Sequence, residues 1–155
     1  MTLEGMEIAV AVDYSEHATG AARMAESLAK ASGLPLVLLH VFEGHPEELE
    51  SLDRVPTGFQ GLVQLSDDEL AEVLREGARK LFERIRAELG QSDLEIREVS
   101  LDGDPADALL DYIDSHRNTL LVVGRRGLSR TRSLLLGSVS ERLVREAPCP
   151  VLVHR

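Results

Sequence analysis

Five short apolar runs alternate with four stretches of helical character along the whole chain, and that alternation leaves few folds open. Met6–Val12 reads as a strand in which Ile8, Val10 and Val12 alternate with the equally apolar Ala9 and Ala11. A strand apolar on both faces belongs in a parallel sheet covered by helices. From about Ser15 a helix follows, with Ala18, Ala21, Ala22, Ala25, Leu28 and Ala29 forming a small-residue stripe that Gly33 and Pro35 end. Leu36–Phe42 is the second strand. Ser66–Leu89 is the second helix: Ser66 and Glu69 make a capping box, Leu70, Leu74, Ala78, Leu81, Ile85 and Leu89 its buried stripe, and Gly90 its end. Leu94–Leu101 is a third strand whose Glu95, Arg97 and Glu98 suit a sheet edge. Asp104-Pro105-Ala106-Asp107 opens a third helix, with Asp104 as cap and Pro105 in the first turn. Thr119–Val123, Ser138–Glu146 and Pro150–Val153 complete a βαβαβαβαβ order, which argues for a parallel sheet with helices on both faces.

The length, 155 residues, suits one domain spanning the whole chain. Aromatic residues are 3% and Trp is absent, so the core must be aliphatic. Glu43–Leu65 has no clear period and carries Gly44, Pro46, Pro56, Gly58 and Gly61, so a long mobile loop is expected there. A net charge of −10 argues against nucleic acid and anionic lipid as partners. The single cysteine, Cys149, allows no intramolecular disulfide and fits a reducing compartment. Standing between Pro148 and Pro150, it has no local acid or base to activate it. No signal peptide is visible at Met1–Met6, and the longest apolar stretch, Leu34–Phe42, is far too short to cross a bilayer. The expectation is a cytoplasmic protein without a membrane partner. His17, His40, His45, His116 and His154 show no metal-ligand spacing, and His40, inside an apolar strand, reads as a hydrogen-bonded core residue.

Ligands of open parallel sheets sit beyond the carboxyl ends of the strands, where strand order reverses. With the order 3-2-1-4-5 that point lies between strand one, ending Val12-Asp13-Tyr14-Ser15, and strand four, ending Val123-Gly124-Arg125-Arg126-Gly127. Gly124 and Gly127 permit a tight turn and close backbone approach. Gly137 leads into Ser138-Val139-Ser140-Glu141, where Ser138 and Glu141 read as a second capping box. A helix start offers free backbone N–H groups and the positive end of the dipole to a phosphate, and the hydroxyls of Ser138 and Ser140 can donate as well. Arg125, Arg126, Arg130 and Arg132 make the loop locally +4 in a chain whose remainder is −14. The pattern is neither a Walker A loop nor G-x-G-x-x-G, and the P-loop lysine is missing. Asp13 can accept from ribose hydroxyls or cap the following helix together with Ser15.

These residues resemble a known family. Gly124-x-x-Gly127, nine residues, then Gly137-Ser138 is similar to the G-2x-G-9x-G-[ST] signature of the ATP-binding universal stress proteins. Val10-Ala11-Val12-Asp13 with Ser15, Leu38-Leu39-His40-Val41, Gly103-Asp104-Pro105 and Pro148-Cys149-Pro150-Val151-Leu152-Val153 agree in order. The resemblance implies a Rossmann-like α/β fold: a five-stranded parallel sheet of order 3-2-1-4-5, two helices on each face, and a homodimer joined through the C-terminal strand. It implies that Ala11 and Asp13 hold the adenosine and that the Val41 backbone reads adenine. It places Val123, Gly124, Arg126 and Gly127 on one side of the phosphates and Gly137, Ser138, Val139 and Ser140 on the other. Mg2+ or Mn2+ would be held by phosphates and water. It also moves the reading of Asp13 toward a ribose contact. Tyr14, where glycine is frequent in the family, could shield or crowd the crevice mouth. The expected function is an ATP-binding stress or signalling module with an unidentified protein partner. The alternatives are a slow ATPase and a nucleotide-free interaction module. Hydrolysis needs a group that positions water; no Asp, Glu, Gln or His stands between Gly124 and Ser140, which favours binding over catalysis, although distant residues such as those in Glu43–Leu65 could supply one.

Overall fold

A computed structural model describes residues 4–43, 65–126 and 136–155. The expected mobile loop therefore lies, apart from its ends, outside the described residues, and so do Gly127, Arg130 and Arg132. The elements run β1 (Glu7–Ala11), α1 (Glu16–Ser32), β2 (Leu36–Val41), α2 (Asp67–Leu89), β3 (Ile96–Leu101), α3 (Pro105–Ser115), β4 (Thr119–Gly124), α4 (Ser138–Glu146) and β5 (Val151–His154). All pairings are parallel and the order is β3-β2-β1-β4-β5. The sequence-based elements are all present, with strand ends shifted by one or two residues.

Two apolar layers explain the double-sided strands. Ile8, Val10, Leu36, Leu38 and Val122 face α1 and α2, whereas Ala9, Val37, Leu39, Leu121 and Val123 face α3 and α4. Two helices thus cover each face. Leu36, Val37, Leu38 and Leu39 are all fully buried, and burial of each such side chain is worth roughly 1.5–3 kcal/mol. The alanines of α1 (Ala21, Ala22, Ala25 and Ala29) are likewise sealed, which lets that helix lie close to the sheet.

Helix ends follow the local chemistry. Ser15 caps α1 by accepting from the Ala18 N–H, and Gly33 ends it at φ 70°. Ser66 and Glu69 form the expected capping box on α2, and Asp104 accepts from the Ala106 and Asp107 N–H groups at the start of α3. β3 takes one edge, as its charges require, and Arg97 reaches across to Glu7 on β1. Glu7 also accepts from the Tyr112 hydroxyl at 2.9 Å and from Thr119 Oγ1 at 3.2 Å. This buried group ties the amino ends of β1 and β4 to α3. Burial, and then the bond to Glu7, push the Tyr112 phenol above its ordinary value.

Candidate functional site

The sheet order reverses between β1 and β4, and a cleft of about 180 Å³ opens at that point. Its floor is Ala11, Val12, Leu39, Val41 and Val123; Asp13 and Glu43 stand at the ends of β1 and β2; Arg126 and the start of α4 close the other side. Of the sequence-predicted site residues, Ala11, Asp13, Val41, Val123, Gly124, Arg126, Gly137, Ser138, Val139 and Ser140 all line this one cleft. Gly127 falls outside the described residues.

The start of α4 differs from the expected capping box. The N-cap is Gly137, at φ −73° and ψ 162°, and no described side chain caps the helix. Ser138 is therefore the first helical residue, and Glu141 N–H bonds the Gly137 carbonyl as the first helical rung. The reason is local: Gly137 N–H donates to the Arg125 carbonyl at 2.8 Å, which fixes where the chain enters the helix. Among the described residues none accepts from the Ser138, Val139 or Ser140 N–H groups, the orphan donors of every helix start. They sit beside the cleft together with the positive end of the helix.

The Ser140 hydroxyl is not a spare donor. It is buried and donates to the Gly124 carbonyl at 2.8 Å, with a longer contact to the Arg125 carbonyl at 3.2 Å. Ser140 thus fastens α4 to the end of β4. Arg125 N–H in turn donates to the His154 carbonyl at 2.8 Å, so backbone and hydroxyl bonds around residue 125 join β4, β5 and α4.

Opposite this wall, Asp13 Oδ1 accepts the Ser15 N–H at 2.8 Å. Ser15, not Asp13, caps α1. The turn uses one carboxylate oxygen, so Asp13 both orders the loop and lines the cleft. Tyr14 points elsewhere: its hydroxyl reaches the Gly77 carbonyl on α2 at 3.3 Å and its ring lies 5.8 Å from the Arg84 guanidinium carbon. It neither shields nor crowds the crevice.

His40 is 2% exposed, and its Nδ1 lies 3.0 Å from the Val12 carbonyl, next to Asp13. This is the hydrogen-bonded core histidine expected from its strand position. Burial pushes its pKa below the ordinary 6.5, against the opposing pull of the Val12 carbonyl, Asp13 and Glu43. The unfolded chain therefore takes up a proton first. The stability this neutral imidazole confers is complete above pH 6.5 and is lost as pH falls toward the folded pKa. In that window the unfolding free energy should fall by up to about 1.4 kcal/mol per pH unit. Urea unfolding of the protein and of His40→Asn at a series of pH values checks this: the variant should lose that part of the acid slope.

The cleft also includes residues that the sequence reading did not single out: Val12, Ala18, Leu39, Glu43, Pro105 and Leu109. Leu39 shares the two-residue period of Val41, so the alternation could have flagged it. Glu43 was reachable by extending the strand-end rule to β2. Pro105 and Leu109 enter because α3 leans over the cleft, which no local pattern encodes. Among the described residues no group of three or more His, Cys, Asp or Glu could hold a metal ion. Nor is any described helix long and apolar enough to cross a membrane.

Comparison with known proteins agrees with this architecture. The family model described as "Universal stress protein family" matches residues 6–155. A Thermus aquaticus universal stress protein, encoded in the 3′ region of a QAH/OAS sulfhydrylase, is 35% identical over 96% of this chain and 97% of its own length. A crystal structure of a universal stress protein in complex with cAMP superposes with a TM-score of 0.61 at 27% identity, covering 97% of each chain. The solved structure of protein MJ0577 of Methanocaldococcus jannaschii shares the fold, with a TM-score of 0.71 at 24% identity over 96% of this chain and 94% of that one. With the family model spanning nearly its entire length and a relative above 30% identity covering 96% of it, this chain belongs to the universal stress protein family.

Proposed function

We propose that the chain binds ATP in the cleft between β1 and β4 and acts as a nucleotide-responsive stress or signalling module. The observation that carries this reading is the start of α4, whose first three N–H groups have no acceptor among the described residues and, with neighbouring Arg126, line one cleft with the Asp13 turn. Phosphate binds well at such a helix start. Ala11 and Asp13 would hold the adenosine and the Val41 backbone the adenine, with Mg2+ or Mn2+ carried by phosphate oxygens and water. At about 180 Å³ the enclosed part is smaller than cavities that swallow a drug-sized ligand whole. The phosphates would therefore lie along its rim, over α4. The solved relative in complex with cAMP supports an adenine nucleotide as the ligand class.

Binding is favoured over hydrolysis. Among the described residues the carboxylates that line the cleft, Asp13 and Glu43, belong to the ends of β1 and β2, while the side assigned here to the phosphates is made by β4 and α4. With the phosphates assigned to the α4 side, neither carboxylate is given the water-orienting role that hydrolysis needs. Assembly as a homodimer would use β5, an edge strand whose four residues are all partly exposed, together with Val144 of α4, which is 50% exposed.

Mass spectrometry of denatured purified protein, then calorimetric titration with MgATP, tests the reading. The expected result is retained or titratable ATP with a Kd on the order of 1 μM, about −8 kcal/mol. No binding at millimolar ATP would refute it, and appreciable single-turnover hydrolysis lost on mutation of the cleft would replace the binder with an ATPase.

A further inference from the structure

Where β1 ends, its backbone ladder to β2 should end as well. Val12 N–H makes the last rung, donating to the Leu39 carbonyl at 2.8 Å. The Val12 carbonyl, one atom group further along and buried, is met by a side chain: His40 Nδ1 at 3.0 Å. The next residue is Asp13, whose carboxylate orders the turn by accepting the Ser15 N–H. We propose that His40 is a positioning residue for the nucleotide site, extending the β1–β2 ladder by one side-chain bond so that Asp13 leaves the sheet at the angle its ribose contact needs. The role rests on the nucleotide reading above, because its effect on affinity presupposes that Asp13 touches the ligand.

The geometry fixes the chemistry of the ring. A carbonyl only accepts, so the Nδ1 must carry the proton, and a neutral imidazole then keeps its lone pair on Nε2. The ring is held edge-to-face against Phe82 of α2, with centroids 6.3 Å apart.

Two substitutions separate positioning from mere occupancy of the core. Asn carries its amide N–H where a histidine carries Nδ1; Gln carries it further out, near Nε2, and is closer to histidine in size. His40→Asn should bind ATP within about threefold of the wild type, whereas His40→Gln, losing the bond to Val12, should bind about tenfold more weakly. A structural role alone would favour Gln or treat both alike, and either result overturns the proposal. Two measurements on the unliganded protein stand apart from binding. The 15N spectrum of the ring should report the Nδ1–H tautomer, and Ser15 amide exchange should be faster in His40→Gln than in His40→Asn. An Nε2–H ring, or equal exchange in the two variants, would overturn the positioning role even if ATP binds. If the wild type binds no ATP, the nucleotide reading alone falls, and the Ser15 exchange still decides whether His40 sets the Asp13 turn.

Discussion

Ser138→Glu should weaken ATP binding by roughly 100-fold or more, about 2.7 kcal/mol, while leaving the melting temperature unchanged or slightly raised. Ser138 is the exposed first residue of α4, and no described side chain caps that helix. A carboxylate there meets the positive end of the helix dipole and can accept from the open N–H groups, which stabilises a helix by about 0.3–1 kcal/mol. The same carboxylate would occupy the donors that a phosphate needs and repel its charge. Stability and affinity thus move in opposite directions, and general damage to the fold cannot imitate that. Calorimetric titration and thermal unfolding of Ser138→Glu and Ser138→Ala check it. The alanine variant, which keeps the backbone donors, should lose only a few-fold in affinity. A glutamate variant that binds like the wild type would mean that the phosphates do not sit on α4.

The second large effect is expected on stability. A Cβ added to Gly124 would stand 2.9 Å from the His17 carbonyl oxygen and 3.0 Å from His17 C and Cβ. These atoms belong to α1 itself, so the helix must shift to make room. Gly124→Ala should cost about 2 kcal/mol, within the usual range for overpacking, and lower Tm by roughly 4–8 °C for a chain of this size. Affinity should drop as well, since the Gly124 carbonyl is where Ser140 fastens α4. Gly20 provides the contrast. A Cβ there would meet His154 Cε1 at 2.5 Å, but that atom ends a side chain on the edge strand. The ring can swing outward, where its buried Nδ1, which has no hydrogen-bond partner among the described residues, would reach water. Gly20→Ala should therefore cost well under half as much as Gly124→Ala in the same denaturation experiment.

These two glycines show what a sequence can and cannot disclose. The expectation that Gly124 permits close backbone approach was correct, but the partner is helix α1, which no motif names, and Gly124 needs no turn because it ends β4 in ordinary strand geometry. Gly137 also lacks a positive φ. A Cβ there would lie 3.4 Å from Arg126 Cα, which is ordinary contact. As the N-cap of α4 it brings no side chain to the helix start. The sheet order, the covering helices and most of the cleft were legible because strand period, helix period and the strand-end rule are local or topological properties. The Ser138–Glu141 capping box looked equally sound in the sequence and did not form, because a bond across the cleft wall from Gly137 to Arg125 fixed the helix start one residue earlier. The spare hydroxyl assigned to Ser140 failed for a similar reason: whether a serine side chain faces a ligand or a neighbouring carbonyl depends on how α4 docks on β4. Tyr14 shows the same limit, since its direction is set by α2, more than sixty residues away in sequence.

A crystal structure of the protein grown with MgATP tests most directly whether the cleft groups converge on one nucleotide. Phosphate density should lie against the amides of Ser138, Val139 and Ser140 near Arg126, with the ribose hydroxyls at Asp13. Nucleotide density elsewhere on the surface, or an α4 start that stays unliganded at saturating ATP, would contradict it.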